Sequence, residues 1–150
     1  MTSLDFKIQK VELDDLNILK EFMKKLNLVY EEIEKHLEDF FIIRVENKTV
    51  GCAGIEHYDD VGLLRSVGID EELQGKGLGK KIVTKMIDYA LEKGIVNLYL
   101  ITNSAEDFFK KFDFTIVSRS EVDSRIQQTY EYTTGCEETA SVMVKKIEII

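Results

Sequence analysis

Three glycines at alternate positions, Gly75, Gly77 and Gly79, are the residues with the clearest chemical potential. They are interleaved with Gln74, Lys76, Leu78, Lys80 and Lys81 in the run VGIDEELQGKGLGKKIV. Glycine allows positive φ and lets a ligand come close to the main chain. Where such a run enters a helix, the first N–H groups lack intrahelical partners and point outward, aligned with the helix dipole. A row of amides of this kind suits a pyrophosphate. The lysines add a second argument. Cations at a helix N-terminus oppose the dipole, each at a cost of about 0.3–1 kcal/mol, and a bound phosphate would reverse that sign. The competing reading is a solvated lysine face.

The spacing narrows the choice of anion. A dinucleotide fingerprint needs G-x-G-x-x-G, whereas position 80 is Lys, and no acidic residue follows where a ribose would need it. A triphosphate loop needs Ser or Thr after its lysine to hold magnesium, and Lys81 stands there. Coenzyme A carries a pyrophosphate and needs no metal, so it is the ligand that survives.

These residues need a strand before them and a helix after them, and the hydrophobic pattern supplies both. Val61 to Ile69 reads as a strand. Leu78, Ile82, Val83, Met86, Ile87, Ala90 and Leu91 repeat at helical spacing, and Lys93-Gly94 provides a stop. Upstream, Phe6 to Val11 alternates as a strand, and Asp14-Asp15 opens a helix with Leu16, Leu19, Phe22, Met23 and Leu26 on one face. Val29 to Leu37 reads as a second, shorter helix. Phe41 to Glu46 and Thr49 to Tyr58 are strands joined by a tight turn at Asn47-Lys48, and Asp59-Asp60 makes the next turn. Downstream, Asn97 to Thr102 is a strand. Ser104 to Phe112 is a short helix capped by Asn103 or Ser104, and Thr115 to Ser118 and Ser141 to Ile147 complete the strands. The order β-α-α-β-β-β-α-β-α-β-β predicts an α/β layered domain with helices on a mixed sheet.

At 150 residues with 44% hydrophobic and 32% charged side chains, the chain suits one domain that buries about 70% of its unfolded surface. It contains no proline, and no linker, repeat or low-complexity segment marks a boundary. The formal net charge of −8 disfavours nucleic acid and anionic membrane faces as partners, so an anionic ligand must be held by local donors. No apolar run approaches a membrane span, the N-terminus lacks a signal peptide's apolar centre, and a cytoplasmic location is the expectation. Cys52 and Cys136 lack metal-ligand spacing and read as reduced thiols, at least one of them in the core. No metal is expected.

The pair of motifs Q-x-x-G-x-G at Gln74 to Gly79, after the strand V-G-I, and N-x-A-x-x-F-F at Asn103 to Phe109 resembles the GNAT (Gcn5-related) N-acetyltransferase superfamily over essentially the whole chain. A narrower likeness is to the arsenic-resistance-associated GNAT acetyltransferases. It rests on LLRSVGI, on A-E-D-F-F after the fifth strand, and on the tail R-I-x-x-T-x-E with a late C-x-x-x-A-S-x-M. The resemblance implies a mixed, mostly antiparallel sheet of seven strands with helices on both faces and a splayed strand 4/strand 5 pair. It also implies acetyl-CoA as cosubstrate and direct transfer to a primary amine in a ternary complex.

Carried onto this chain, the resemblance implies that the backbones of Val67 and Ile69 pair with pantetheine. Gln74, Gly75, Lys76, Gly77, Leu78, Gly79 and Lys80 would hold the pyrophosphate, and Asn103, Phe108 and Phe109 would flank the pantetheine and thiol. Gly68 suits a bulge whose N–H could stabilise the oxyanion; close packing under a neighbouring side chain is its other reading. Phe109 departs from the family, which often has a proton-donating Tyr there, and Leu63 stands where the family often has a basic glutamate. Glu56 and His57 are the remaining base candidates, with alternation allowing only one to face the cleft; His57 is favoured, beside a water relay. Arg65 reads either as a carboxylate clamp for the acceptor or as a structural ion pair. The expected acceptor is a small amino-acid-like amine, and homodimerisation is left open. A CoA-binding sensor without catalysis and a protein N-acetyltransferase are the alternatives.

Overall fold

The computed structural model describes residues 5–135 and 139–147. Cys136, and with it part of the late C-x-x-x-A-S-x-M run, lies outside the described residues. Seven strands form one sheet in the order β1-β2-β3-β4-β5-β7-β6. They are β1 (Lys7–Lys10), β2 (Phe40–Val45), β3 (Lys48–Tyr58), β4 (Val61–Ile69), β5 (Asn97–Thr102), β6 (Thr115–Val117) and β7 (Ser141–Lys146). The helices are α1 (Leu16–Lys25), α2 (Leu78–Glu92), α3 (Glu106–Lys110) and α4 (Ser124–Gln127). Among the described residues, no helix is long and apolar enough to cross a membrane. The chain separates into two compact units, Met1–Ile55 with Ser66–Met86, and Glu56–Arg65 with Ile87–Ile150.

In the first unit, β1 pairs antiparallel with β2, and β2 with β3. The β2–β3 turn falls one residue before its expected place. Glu46 and Asn47 take φ of 49° and 67°, and Lys48 already pairs with Val45. Two consecutive left-handed residues match the twist of a two-residue hairpin. The core of this unit gathers Leu19, Phe22 and Met23 of α1 with Ile33, Phe40, Ile42 and Cys52, the apolar face that the helical spacing foretells. The expected second helix is corrected. Asn27 and Glu32 are left-handed, at φ 59° and 67°, which interrupts the chain, and the segment that follows is a 3-10 helix, Ile33–Asp39.

In the second unit, β5 and β6 both pair antiparallel with β7. The parallel register of β4 with β5 covers Val61, Gly62 and Leu63 against Asn97, Leu98 and Tyr99, while β4 itself runs on to Ile69. Val61, Leu63, Tyr99, Val122, Ile126 and Val142 form this unit's core. α3 is shorter than expected, and its N-cap is Ala105, without a side-chain cap, rather than Asn103 or Ser104. Just before it, the Thr102 hydroxyl accepts the Ala105 amide at 3.0 Å.

Candidate active site

The glycine loop begins where β4 ends. The Asp70 amide donates to the Val50 carbonyl at 2.8 Å, and its carboxylate accepts the Glu72 amide at 3.0 Å. That bond, helped by Lys25 and Lys48, holds the carboxyl below the usual range against the cost of burial. A 3-10 turn over Glu71–Leu73 follows, and the chain then reverses through Gly75 and Gly77, at φ 84° and 87°. An L side chain rarely adopts such a φ, so glycine is required by the backbone rather than by crowding. A Cβ at either position would meet nothing within 4 Å. The first intrahelical bond of α2 is Lys81 N–H to Gly77 O, 3.1 Å. The amides of Leu78, Gly79 and Lys80 precede it and are the helix's unpaired donors. The loop from Gln74 to Gly77 is solvent-exposed.

Alternation fixes which backbone groups of β4 are already engaged. Ser66 O accepts the Cys52 thiol at 3.0 Å, the Gly68 amide is that thiol's other polar neighbour, and Asp70 bonds Val50. Residues 66, 68 and 70 therefore turn their backbone groups toward β3, and Val67 and Ile69 turn theirs to the opposite edge. There the Gln74 side chain reaches back and donates to Ile69 O at 3.1 Å, tying the loop to the strand. The Cys52 thiol is buried, and its pKa is pushed up to about 12 by desolvation.

β4 departs from extended backbone at Ser66 rather than at Gly68. Ser66, at φ 60°, is the left-handed residue of β4. A Cβ at Gly68 would stand 2.7 Å from Leu28 Cδ1 and 2.8 Å from Leu26 Cδ1, so this glycine allows close packing, the second of its two readings. A left-handed serine carries no signature that a sequence could reveal.

The second unit holds the base and clamp candidates Glu56, His57 and Arg65. Arg65 Nη1 donates to Glu56 Oε2 at 2.8 Å, with both side chains fully excluded from solvent. Arg65 Nε lies 3.5 Å from Glu131 Oε1, and the Tyr58 hydroxyl donates to Glu56 Oε1. Of the two readings of Arg65, the ion pair is the one the fold contains. His57 has Nε2 2.7 Å from the Asp59 carbonyl, within its own turn. Glu131 was not singled out as a candidate; its one signal was its place at the end of the R-I-x-x-T-x-E run.

Asn103 is exposed and Phe108 half-buried, while Phe109 is buried. The rings of Phe108 and Phe109 meet edge to face at 5.1 Å, and Phe109 meets Phe114 at 5.8 Å, the geometry that aromatic quadrupoles favour. Arg125 pairs with Asp60 and Asp123 at 2.8 and 2.9 Å. Arg119 donates to Ala140 O at 2.9 Å and lies over the Tyr132 ring.

This glycine turn at the head of α2, after a strand that leaves its parallel neighbour early, coincides with a family match. Residues 9–114 match the Acetyltransferase (GNAT) family. The chain belongs to the GNAT acetyltransferase family. It is 27% identical over 97 residues to an uncharacterized N-acetyltransferase of Chlorobaculum tepidum, covering 64% of this chain and 62% of that one. It is 24% identical over 102 residues to an amino-acid acetyltransferase of Neisseria meningitidis serogroup A, covering 67% of this chain but 23% of that one. Its GNAT fold superposes on N-acetylglutamate synthase from Neisseria gonorrhoeae, complexed with coenzyme A and L-arginine, with a TM-score of 0.81. That match has 19% identity and covers 96% of this chain and 34% of that one. The chain thus spans less than two thirds of these relatives' lengths.

Proposed function

We propose that the protein is an N-acetyltransferase that moves the acetyl group of acetyl-CoA to a small, amino-acid-like primary amine. One observation carries this reading. Two left-handed glycines with open space beside them deliver the chain into the unpaired amides at the start of α2, which is the donor array a pyrophosphate requires. Gln74 to Lys80 form the cradle, with Lys76 and Lys80 supplying charge and Gln74 bracing the loop. The outward edge of Val67 and Ile69 receives the pantetheine by strand-like hydrogen bonds. Asn103, Phe108 and Phe109 border its thiol end. The amino-acid acetyltransferase among the relatives supports the acceptor class.

The chemistry follows from these placements. The amine lone pair forms a C–N bond at the thioester carbonyl, and the negative charge on oxygen is met by a β4 amide. Since the Gly68 amide is directed at the Cys52 thiol, the outward Val67 amide is the better placed donor. The nitrogen passes its proton to a water relay, and collapse breaks the C–S bond. Phe109 has no hydroxyl, so solvent protonates the departing thiolate, which a thiol pKa of about 8.5 allows. Arg65 enters this reading as the partner of Glu56, not as a free clamp.

Calorimetry with acetyl-CoA, followed by thiol release against a panel of amines, tests the proposal, with Gly77→Asp as the blank. Tight acetyl-CoA binding with amine-dependent thiol release is expected. Binding of CoA and acetyl-CoA alike without release would favour a sensor, a reading that the missing hydroxyl at Phe109 keeps in view. Release with peptides alone would favour a protein acetyltransferase.

A further inference from the structure

Between Asp70 and Leu78 the chain has no buried residue. Gly75 and Gly77 lie in this stretch, and open space surrounds the places where their Cβ atoms would stand. Side-chain packing therefore does not hold the glycine turn. Glycine also gives up more conformational freedom on ordering than any other residue. The shape of the turn must come from its two ends. Leu78 is buried and fixes the far end at the start of α2, and Asp70 is buried at the near end.

An aspartate is rarely buried unless it is paired, and every polar group of Asp70 has a partner. Its amide is pinned to β3 through Val50 O at 2.8 Å, and its carbonyl accepts the Leu73 amide at 2.9 Å. Its Oδ1 accepts the Glu72 amide at 3.0 Å. Glu71 O then takes the Gln74 amide at 3.4 Å, and Gln74 Nε2 returns to Ile69 O at 3.1 Å. Residues 69–74 thus close on themselves just ahead of Gly75. Oδ2 faces Lys25 Nζ of α1 at 3.6 Å and Lys48 Nζ of β3 at 3.9 Å. Both lysines are exposed and stand beyond hydrogen-bond distance, so they offset the buried charge while the Glu72 bond sets the geometry. All of these residues belong to the first unit.

We propose that Asp70 is a positioning residue for the coenzyme. By capping the turn over Glu71–Leu73, it holds the glycine turn in its binding shape before acetyl-CoA arrives. The inference rests on the acetyl-CoA reading above. Ordering a loop in advance raises affinity because the binding step no longer bears that entropy loss. Acting through the loop, Asp70 governs coenzyme affinity and leaves the chemical step alone.

The test uses the full chain and acetyl-CoA, read by calorimetry. Asp70→Ala should raise the acetyl-CoA Kd about 10-fold, the scale of a lost side-chain cap. Asp70→Asn keeps an oxygen for the Glu72 amide while losing the charge, and its Kd should stay within about threefold of wild type. An unchanged Kd in Asp70→Ala, or equal weakening by both variants, would overturn the assignment. Thiol release with a saturating amine should show KM for acetyl-CoA rising in step with Kd in Asp70→Ala, with kcat within about twofold of wild type. A fall in kcat at constant KM would count against a positioning role. Amide exchange on the ligand-free wild type depends on no variant's folding. There Glu72 and Leu73 should be protected about 10-fold or more relative to an unstructured peptide, and exchange at the unstructured rate would also overturn the assignment. Failure of the wild type to bind acetyl-CoA, with that protection intact, would instead bring down the underlying reading.

Discussion

The Arg65 guanidinium donates to the Glu56 carboxylate at 2.8 Å with neither side chain reaching solvent. Removing one partner leaves the other as an uncompensated buried charge. Arg65→Ala should therefore destabilise the fold by about 3–5 kcal/mol, read as a lowered urea midpoint. A loss below about 1 kcal/mol, the scale of an exposed pair, would show that the pair is hydrated in solution.

Gly77 and Gly68 should fail differently when given a side chain. At Gly77, φ is 87° and the surroundings are open, so Gly77→Ala costs about 1–2 kcal/mol through the backbone and should weaken acetyl-CoA binding measurably by calorimetry. Gly68→Ala instead drives a methyl against the tips of Leu26 and Leu28 and should cost about 1–3 kcal/mol by overpacking. Unchanged acetyl-CoA affinity of Gly77→Ala by calorimetry would contradict the cradle.

Glu131 should leave a mark on stability against pH. Its folded pKa of about 7 lies above the ordinary 4.5, so in that window the native state holds a proton that the unfolded chain has released. Stability therefore falls as pH rises from 4.5 toward 7 through this group. Glu131→Gln should flatten that slope in urea midpoints taken across the window. Asp70 and Asp123 act oppositely: their lowered pKa values give stability that is lost as pH falls below 3.8.

Cys52 should be inert while the protein is folded. Burial raises its thiol to about 12, and thiolate is the reactive form. In a Cys136→Ser background, a disulfide reagent at pH 8 should react with Cys52 only after urea is added. Rapid reaction with the folded protein would mean that β3 opens locally.

Much of the architecture can be read directly from pattern. β4, β5 and the start of α2 follow from alternation, helical spacing and the glycine run, because those signals are local and each residue's conformation is dictated by its neighbours in the chain. The requirement for Gly75 and Gly77 is of the same kind, since it belongs to the backbone of the turn itself. Segments whose conformation depends on distant contacts were less legible. The stretch after Asn27 tightened into a 3-10 helix, and the irregularity of β4 settled on Ser66, where no residue type announces it.

The sequence by itself determined the seven strands in their chain order and the glycine turn before α2, since both are written in residue type and short-range spacing. Tertiary structure alone decided the states of the charged residues. Glu131 is far from Arg65 and Glu56 in the chain, and only their burial together turned a candidate clamp into an ion pair and raised the Glu131 carboxyl above its ordinary value. Local spacing carries geometry, whereas desolvation and Coulomb coupling exist only once distant segments have met.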